Sequence, residues 1–284
     1  MKLIARMPAT VKICFVILAV ILFCAVFAAL LAPYGPDDTE LLERNMPPTI
    51  FRGDTAHIFG TDALGRDIFS RLLYGTRISL SMVAAGLTVG GTYGVLLGLT
   101  SGYFGGIWDK AVLALVNFQQ SVPYILIVLL LVVAFGRSIP VLMVLVGMAR
   151  WETYAKLLRN IALSVKEKQH VAAAVTYNAS SFRIILRHIL PEVRSQLVVL
   201  LMLNFPAVLL LESSLSFVGI GVQPPTATLG RMVGEGRTSL MTCPWVAMVP
   251  TVAIVTLSYC VQRIGEWVRD ELDVRMNANG AGAI

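Results

Sequence analysis

The sequence predicts an all-α integral membrane protein with six transmembrane helices, and three observations lead there. Of 284 residues, 56% are apolar and only 14% charged, against about 45–50% and 25% in a soluble domain. A water-soluble fold of this size has too little interior to hide that much hydrocarbon. Apolar runs recur at lengths approaching the ~20 residues that cross ~30 Å of hydrocarbon. The basic residues behind the net charge of +6 fall between those runs, where the positive-inside tendency puts them. No Ser/Pro/Gly-rich linker divides the chain, so residues 1–284 read as one transmembrane domain.

The first run, Val11 to Ala32, follows Lys2 and Arg6. It is longer than the apolar core of a secretory signal, and Pro33 stands where cleavage would be sought, so it reads as an uncleaved span. Further runs cover Ser79–Leu99, Ala111–Phe135, Ile139–Ala149, Leu197–Leu211 and Trp245–Val261. The fourth is short, and charge decides its status. Arg150–Arg194 holds eight Lys/Arg against three Asp/Glu. With six spans this stretch and both termini lie in the cytoplasm, while residues 33–77, with five basic and seven acidic side chains, lie outside. Lys168 is thus expected inside and Asp54 outside. The fourth helix is expected to run on through Trp151 and Tyr154.

The second span carries Gly86, Gly90, Gly94, Gly98 and Gly102, a spacing that lets another backbone approach closely. Pro123 and Pro206 fall inside the third and fifth spans, where neighbouring helices can satisfy the freed carbonyls. Ahead of the second span, Leu64, Ile68 and Leu72 recur every four residues and predict an amphipathic surface helix. Asp62 with Arg66 and Asp67 with Arg71 would form i,i+4 pairs along it.

Several function classes are excluded. No basic patch interleaved with aromatics points to nucleic acid. Cys14, Cys24, Cys243 and Cys260 have no zinc spacing, and His57, His170 and His188 are scattered, so no metal site is expected. No glycine-rich loop ends in Lys-Ser or Lys-Thr, so the chain carries no phosphate cradle. A membrane-embedded enzyme would need convergent His, Asp or Cys groups within spans, and none is evident.

The most informative stretch is 166–191. Ala172, Ala173 and Ala174 favour helix, Asn178 tolerates the left-handed conformation that ends one, and Ser180 or Ser181 can cap a second. Phe182, Ile185, Leu186 and Ile189 would form the apolar face of that second helix, Pro191 would limit it, and Arg183, Arg187 and His188 would lie opposite. A helix–turn–helix between two spans suits docking on another protein. In the fifth span Glu212 follows three leucines and precedes Ser213, with Asn204 about two turns earlier. An intramembrane ionisable group is a pathway candidate by default. Asn117, Gln119 and Gln120 would sit at the inner mouth.

These residues resemble a known family. The 166–191 stretch is similar to the cytoplasmic "EAA" loop of ATP-binding-cassette importer permeases. The string Gly60-Thr61-Asp62-x-x-Gly65-Arg66-Asp67-x-x-Ser70-Arg71 resembles the oligopeptide/dipeptide/nickel permeases, in particular their C-type second subunit. Gly102–Asp109, Leu215–Pro225 and Arg269–Asp273 extend the likeness over about residues 11–275. The resemblance implies a type I importer permease in the bacterial cytoplasmic membrane and not an enzyme. It also implies a second, unlike permease, two cytoplasmic ATPases that bind ATP and Mg, and a substrate-binding protein. The coupling residues implied are Lys168, Ala172, Ala173, Ala174, Asn178, Ala179, Ser180, Phe182, Arg183 and Arg187. Two positions depart from the pattern: the family's Glu falls on Ala172 and its Gly on Asn178. The substrate could be a peptide, nickel or a metal chelate, glutathione or a glycoside. A secondary transporter is the rival, though a self-powered carrier would not need a basic docking loop.

Overall fold

The computed structural model describes residues 7–49 and 56–280, with side chains to 272; residues 50–55, Asp54 among them, lie outside the described part. The described residues are helical almost throughout, with one isolated β-bridge between Thr61 and Asp67. The helices are α1 (Ala9–Val26), α2 (Ala28–Leu31), α3 (Ile68–Phe104), α4 (Gly106–Ser121), α5 (Tyr124–Phe135), α6 (Ile139–Met148), α7 (Trp151–Lys166), α8 (Gln169–Thr176), α9 (Ser181–Ile184), α10 (Leu190–Phe217), α11 (Leu229–Gly236) and α12 (Trp245–Gly280).

Four helical stretches are long and apolar enough to cross a bilayer: Ala9–Val26, Ile68–Phe104, Ser181–Phe217 and Trp245–Leu272. The third expected span is broken, because α4 and α5 meet at 95°. Pro123, at the N-cap of α5, has no N–H and disfavours helix in the residue before it. The fourth does not run on through Trp151: α6 stops at Met148 after ten residues, and α7 starts afresh behind Arg150 at φ −130°. Helix length alone thus gives four spans, or five with the bent pair, and the ten-residue α6 is short of a crossing by itself.

The glycine stripe sets the packing. All five glycines are buried, and the backbone facing them comes from Gly147, Trp151, Ala155 and Arg159, themselves four residues apart. A Cβ on Gly90 would lie 2.2 Å from the Gly147 carbonyl oxygen, and one on Gly98 2.5 Å from that of Ala155. The four-residue spacing continues through the break at Ala149–Arg150, so α6 and α7 present one continuous ridge to α3. Dispersion between close backbones does here what water exclusion does in a soluble core. Tyr93 meets Trp151 edge-on at 5.1 Å on the same seam.

Two corrections concern segments flanking spans. Residues 57–67 are a folded loop, and α3 begins at Ile68 with Asp67 as its N-cap; Leu64 sits exposed in a turn. Pro191 does not end the second short helix. Instead α9, a π turn over Ile185–Ile189 and α10 form one rod from Ser181 to Phe217. A proline ring clashes with the carbonyl four residues earlier, here Arg187. The wider π turn relieves that clash, with the Leu190 N–H donating to Ile185.

The stripe generates a test. Gly90→Leu forces side-chain atoms into the Gly147 backbone and should cost at least the ~1–3 kcal/mol of core overpacking. Gly91→Ala should be tolerated, since its Cβ meets only Leu201 Cδ2 at 3.3 Å. Thermal midpoints of the two detergent-solubilised variants decide this; equal midpoints would show that the seam does not depend on close approach.

Candidate functional site

Three groups of polar residues stand out. The first is the basic connection between α7 and α10. Helix α8 seats Val171, fully buried, among Leu158, Ala162, Val165, Ile184 and Ile189, with Ala174 and Ala179 packed beside them. It ends in a Schellman motif: Asn178 has φ +57°, its N–H donates to Val175 O (2.9 Å), and the Ala179 N–H donates to Ala174 O (3.1 Å). Ser180 then caps α9, accepting from the Arg183 N–H at 3.4 Å.

What remains outside is a mixed face. Ala172, Ala173, Arg183 and Arg187 are exposed, as are Val175, Tyr177, Phe182 and Leu186. Tyr177 is 87% and Phe182 73% exposed. The expected apolar face therefore splits: Ile185 and Ile189 turn inward with Ile184, while Phe182 and Leu186 turn outward. Lys168 does not join that face, since its ammonium pairs with Glu192, which His170 also approaches at 3.6 Å.

The second group lies among the long apolar helices. Glu212 is 1% exposed, inside the packed helices and not at a solvated helix end. It accepts hydrogen bonds from Ser79 of α3 (3.2 Å), Ser213 (3.4 Å) and Ser216 (2.9 Å). Ser79 Oγ in turn accepts the Leu229 N–H (3.1 Å) at the start of α11. Gly230 packs so closely that its Cβ would lie 2.3 Å from Ser213 Cα. Glu212 and Ser213 thus hold α3, α10 and α11 together.

Further along α10, Asn204 accepts from Arg150 Nε at 3.2 Å and donates to Leu200 O at 2.9 Å, while the buried Tyr154 hydroxyl lies beside it. Gln119 bridges the two helix breaks, donating to Met148 O (2.9 Å), Ala149 O (3.3 Å) and Glu152 (3.0 Å), and accepting from the Trp151 indole. Asn117 is exposed, its side chain not drawn into this cluster. Arg150, counted from the sequence as a loop cation, is half-buried at the break between α6 and α7.

The third group is the Gly60–Arg71 motif, which proves architectural. Asp62 Oδ1 accepts the N–H groups of Leu64 (2.8 Å) and Arg66 (3.0 Å), fixing a tight turn. Gly65 has φ +75°, and a Cβ there would lie 1.9 Å from Glu40 O. Thr61 exchanges hydrogen bonds with Met46, and Gly60 (φ +77°) accepts the Ile68 N–H. Arg66 pairs with Asp62 at 2.7 Å, as the spacing predicts. Asp67 instead caps α3 through the Ser70 N–H and meets His57 Nδ1 at 3.0 Å. Arg71, 1% exposed, pairs with Glu235 of α11 at 2.8 Å. Glu235 also receives Arg66 (2.9 Å) and Arg231 (2.8 Å). Sequence reading missed Glu235; its one local signal is Arg231 four residues earlier.

His57 is clamped between Asp67 and Glu43 (2.8 Å) and stacks on Tyr34. Burial lowers its pKa, but the hydrogen bonds and charges of Asp67 and Glu43 outweigh that, so it rises above the ordinary imidazole value of 6.5. A raised folded pKa gives stability that is complete below 6.5 and lost as pH climbs through the folded value. The thermal midpoint of the solubilised protein should therefore fall as pH rises across this range, and His57→Gln should flatten that part of the profile. An unchanged slope in His57→Gln would place the titration elsewhere.

Comparison with known proteins follows from this geometry. The family described as binding-protein-dependent transport system inner membrane component matches residues 94–273, and the N-terminal TM domain of oligopeptide transport permease C matches residues 10–48. The oligopeptide transport system permease protein OppC of Haemophilus influenzae is 34% identical over 91% of this chain and 82% of its own. The dipeptide transport system permease protein DppC of Bacillus subtilis is 33% identical over 92% and 80%. Among solved structures, a chain of the inward-facing MetNI methionine ABC transporter superposes with a TM-score of 0.57 at 21% identity, covering 70% of this chain and 95% of that one. The described helices thus share the ABC importer permease fold, and the chain belongs to the binding-protein-dependent transport system inner membrane components, in their oligopeptide permease C branch.

Proposed function

We propose that this permease forms half of the membrane path of an ATP-driven importer for short peptides, and that the α8–α9 face is where ATP hydrolysis is felt. The peptide substrate is carried over from relatives named for oligopeptide and dipeptide transport. The observation that carries the docking role is the exposed face of Val175, Tyr177, Phe182, Arg183 and Arg187 on a rigidly seated helix pair. Apolar side chains so exposed, beside two arginines with no ion pair among the described residues, suit a protein partner better than water.

In this reading two cytoplasmic ATPase subunits hold ATP and magnesium, and a second, unlike permease completes the path. A substrate-binding protein delivers the solute to the side of the Gly60–Arg71 motif. Both termini and the 150–194 connection from the end of α7 onward face the cytoplasm, and α6 with the start of α7 supplies the remaining crossing of a six-span topology. Ala173 and Asn178 sit at the docking tip, with Ala172, Ala174, Ala179 and Ser180 shaping it; Lys168 acts by holding Glu192. With alanine at 172 the contact lacks the family's carboxylate, so it rests on the apolar face and the two arginines. The path follows the side of α10 bearing Asn204 and opens near Asn117. Glu212 and Ser213 join it only when α11 moves away, and nucleotide shifts that equilibrium through unequal affinity for the two states.

Two experiments test this. A single cysteine at Lys168 should react with impermeant reagent only from the cytoplasm, and one at Asp38 only from outside; labelling of the 168 site in intact cells overturns the topology. Ala173→Trp with Arg187→Glu should leave membrane insertion unchanged while ATPase co-purification and uptake fall together. Overpacking of about 1–3 kcal/mol predicts roughly fivefold to a hundredfold weaker docking. Wild-type recovery of ATPase with wild-type uptake would show that coupling runs elsewhere.

A further inference from the structure

Arg237 stands outside the ion pairs that hold the fold. It directly follows α11 and is exposed, its guanidinium carbon 5.5 Å from the centroid of the Phe217 ring. Among the described residues it has no ion pair, and the acid nearest in sequence, Glu235, is taken by Arg66, Arg71 and Arg231. A cation–π contact holds such a group without neutralising it. Phe217 closes one candidate span and Trp245 opens another, so this cation stands where two membrane helices end.

Beside it lies an apolar groove of about 280 Å³, walled by Phe217, Val233, Ala247, Met248 and Val252, with Arg237 as the charged residue of its lining. The Thr251 hydroxyl in the same wall donates to Ala247 O (2.7 Å). The side chains therefore offer a ligand hydrocarbon and one guanidinium. The groove runs on into an exposed stripe of α12 formed by Met248, Val252, Val255 and Tyr259. From Met248 to Tyr259 the helix rises about 16 Å at 1.5 Å per residue. That is about half of a ~30 Å hydrocarbon layer, the depth of one leaflet.

Two observations favour a lipid over another helix as the occupant. One turn of helix, about 10 Å across and 5.4 Å tall, takes more room than the groove has, whereas an acyl chain is thin enough to enter. The side chains of the stripe are also all large, while close seams between membrane helices use small residues, as α3 does with its glycines. A planar guanidinium at the end of a hydrocarbon groove matches the paired oxygens of a phosphate.

We propose that Arg237 and this groove form a phospholipid site, in which the lipid phosphate rests on the guanidinium and one acyl chain lies along α12 from Met248 towards Tyr259. That the lipid belongs to the outer leaflet rests on the topology proposed above; the site itself does not.

The test uses the intact chain, with the subunits that co-purify with it, stripped of lipid in detergent. It is titrated with dioleoylphosphatidylglycerol or with dioleoylglycerol, which lacks the phosphate, and native mass spectrometry reads the lipid bound. Arg237→Gln should weaken phosphatidylglycerol binding about tenfold, the scale of one lost charge-assisted hydrogen bond, and leave dioleoylglycerol binding unchanged. Arg237→Lys should recover part of the loss. Val252→Trp, which fills the groove from an exposed position, should weaken both lipids. Unchanged phosphatidylglycerol binding in Arg237→Gln, or equal loss of both lipids in that variant, overturns the site. A second measurement asks what covers the stripe in the membrane. In a chain whose four cysteines are replaced and Val255→Cys introduced, a benzophenone attached to that cysteine is irradiated in native membranes. It should link to phospholipid; a link to another protein chain would make the stripe a subunit interface, and the proposal fails.

Discussion

Backbone-to-backbone contact between α3 and the α6–α7 ridge is the constraint on which the other features depend. In a bilayer, apolar side chains gain little by leaving lipid for protein, so helices associate through close packing and hydrogen bonds. Five glycines over 17 residues of α3 provide that packing, and the facing ridge from Gly147 to Arg159 keeps its register across a break in its own helix. The break is tolerable because Gln119 satisfies the carbonyls of Met148 and Ala149. Once α7 is fixed, so is the apolar bed of Leu158, Ala162 and Val165 on which α8 lies. The exposed α8–α9 face is thus positioned by glycines about 70 or more residues earlier in the chain.

At the other end, charge does the organising. Arg66, Arg71 and Arg231 converge on Glu235, and breaking such a partly buried cluster by removing one member leaves uncompensated charge. The cluster ties the Gly60–Arg71 loop to the far half of α11, while Ser79 and Glu212 hold the near half. Helix α11 is therefore anchored by two different chemistries, ionic at one end and hydroxyl–carboxylate at the other.

Much of this was legible in the sequence, and the omissions share a cause. Composition revealed the membrane, four-residue glycine spacing revealed close packing, and Asn178 revealed a left-handed helix end, since each signal is local. The Asp62–Arg66 pair was local too. Glu235 was not: its partners Arg66 and Arg71 lie 169 and 164 residues away, beyond any periodicity. Asp67 and Arg71 have the spacing of a helical pair, yet the helix begins between them, so spacing misled. Pro191 looked like a stop because a π turn leaves no plain sequence mark. Arg150 looked like the first cation of a loop because the apolar run ends beside it, although the helical ridge continues.

The continuity of α9, the π turn and α10 has a mechanical meaning. Thirty-seven residues at 1.5 Å each make a rod of about 55 Å, some 25 Å longer than the hydrocarbon it crosses. One tip carries Phe182 and Arg183; Glu212 sits near the other. Two irregularities interrupt the rod, the π turn near the exposed tip and Pro206 between Asn204 and Glu212, and these are the places where a bend would concentrate. The Glu212 end beyond Pro206 is the part that touches α3 and α11, so a bend at the proline changes how that end meets them without moving the exposed tip.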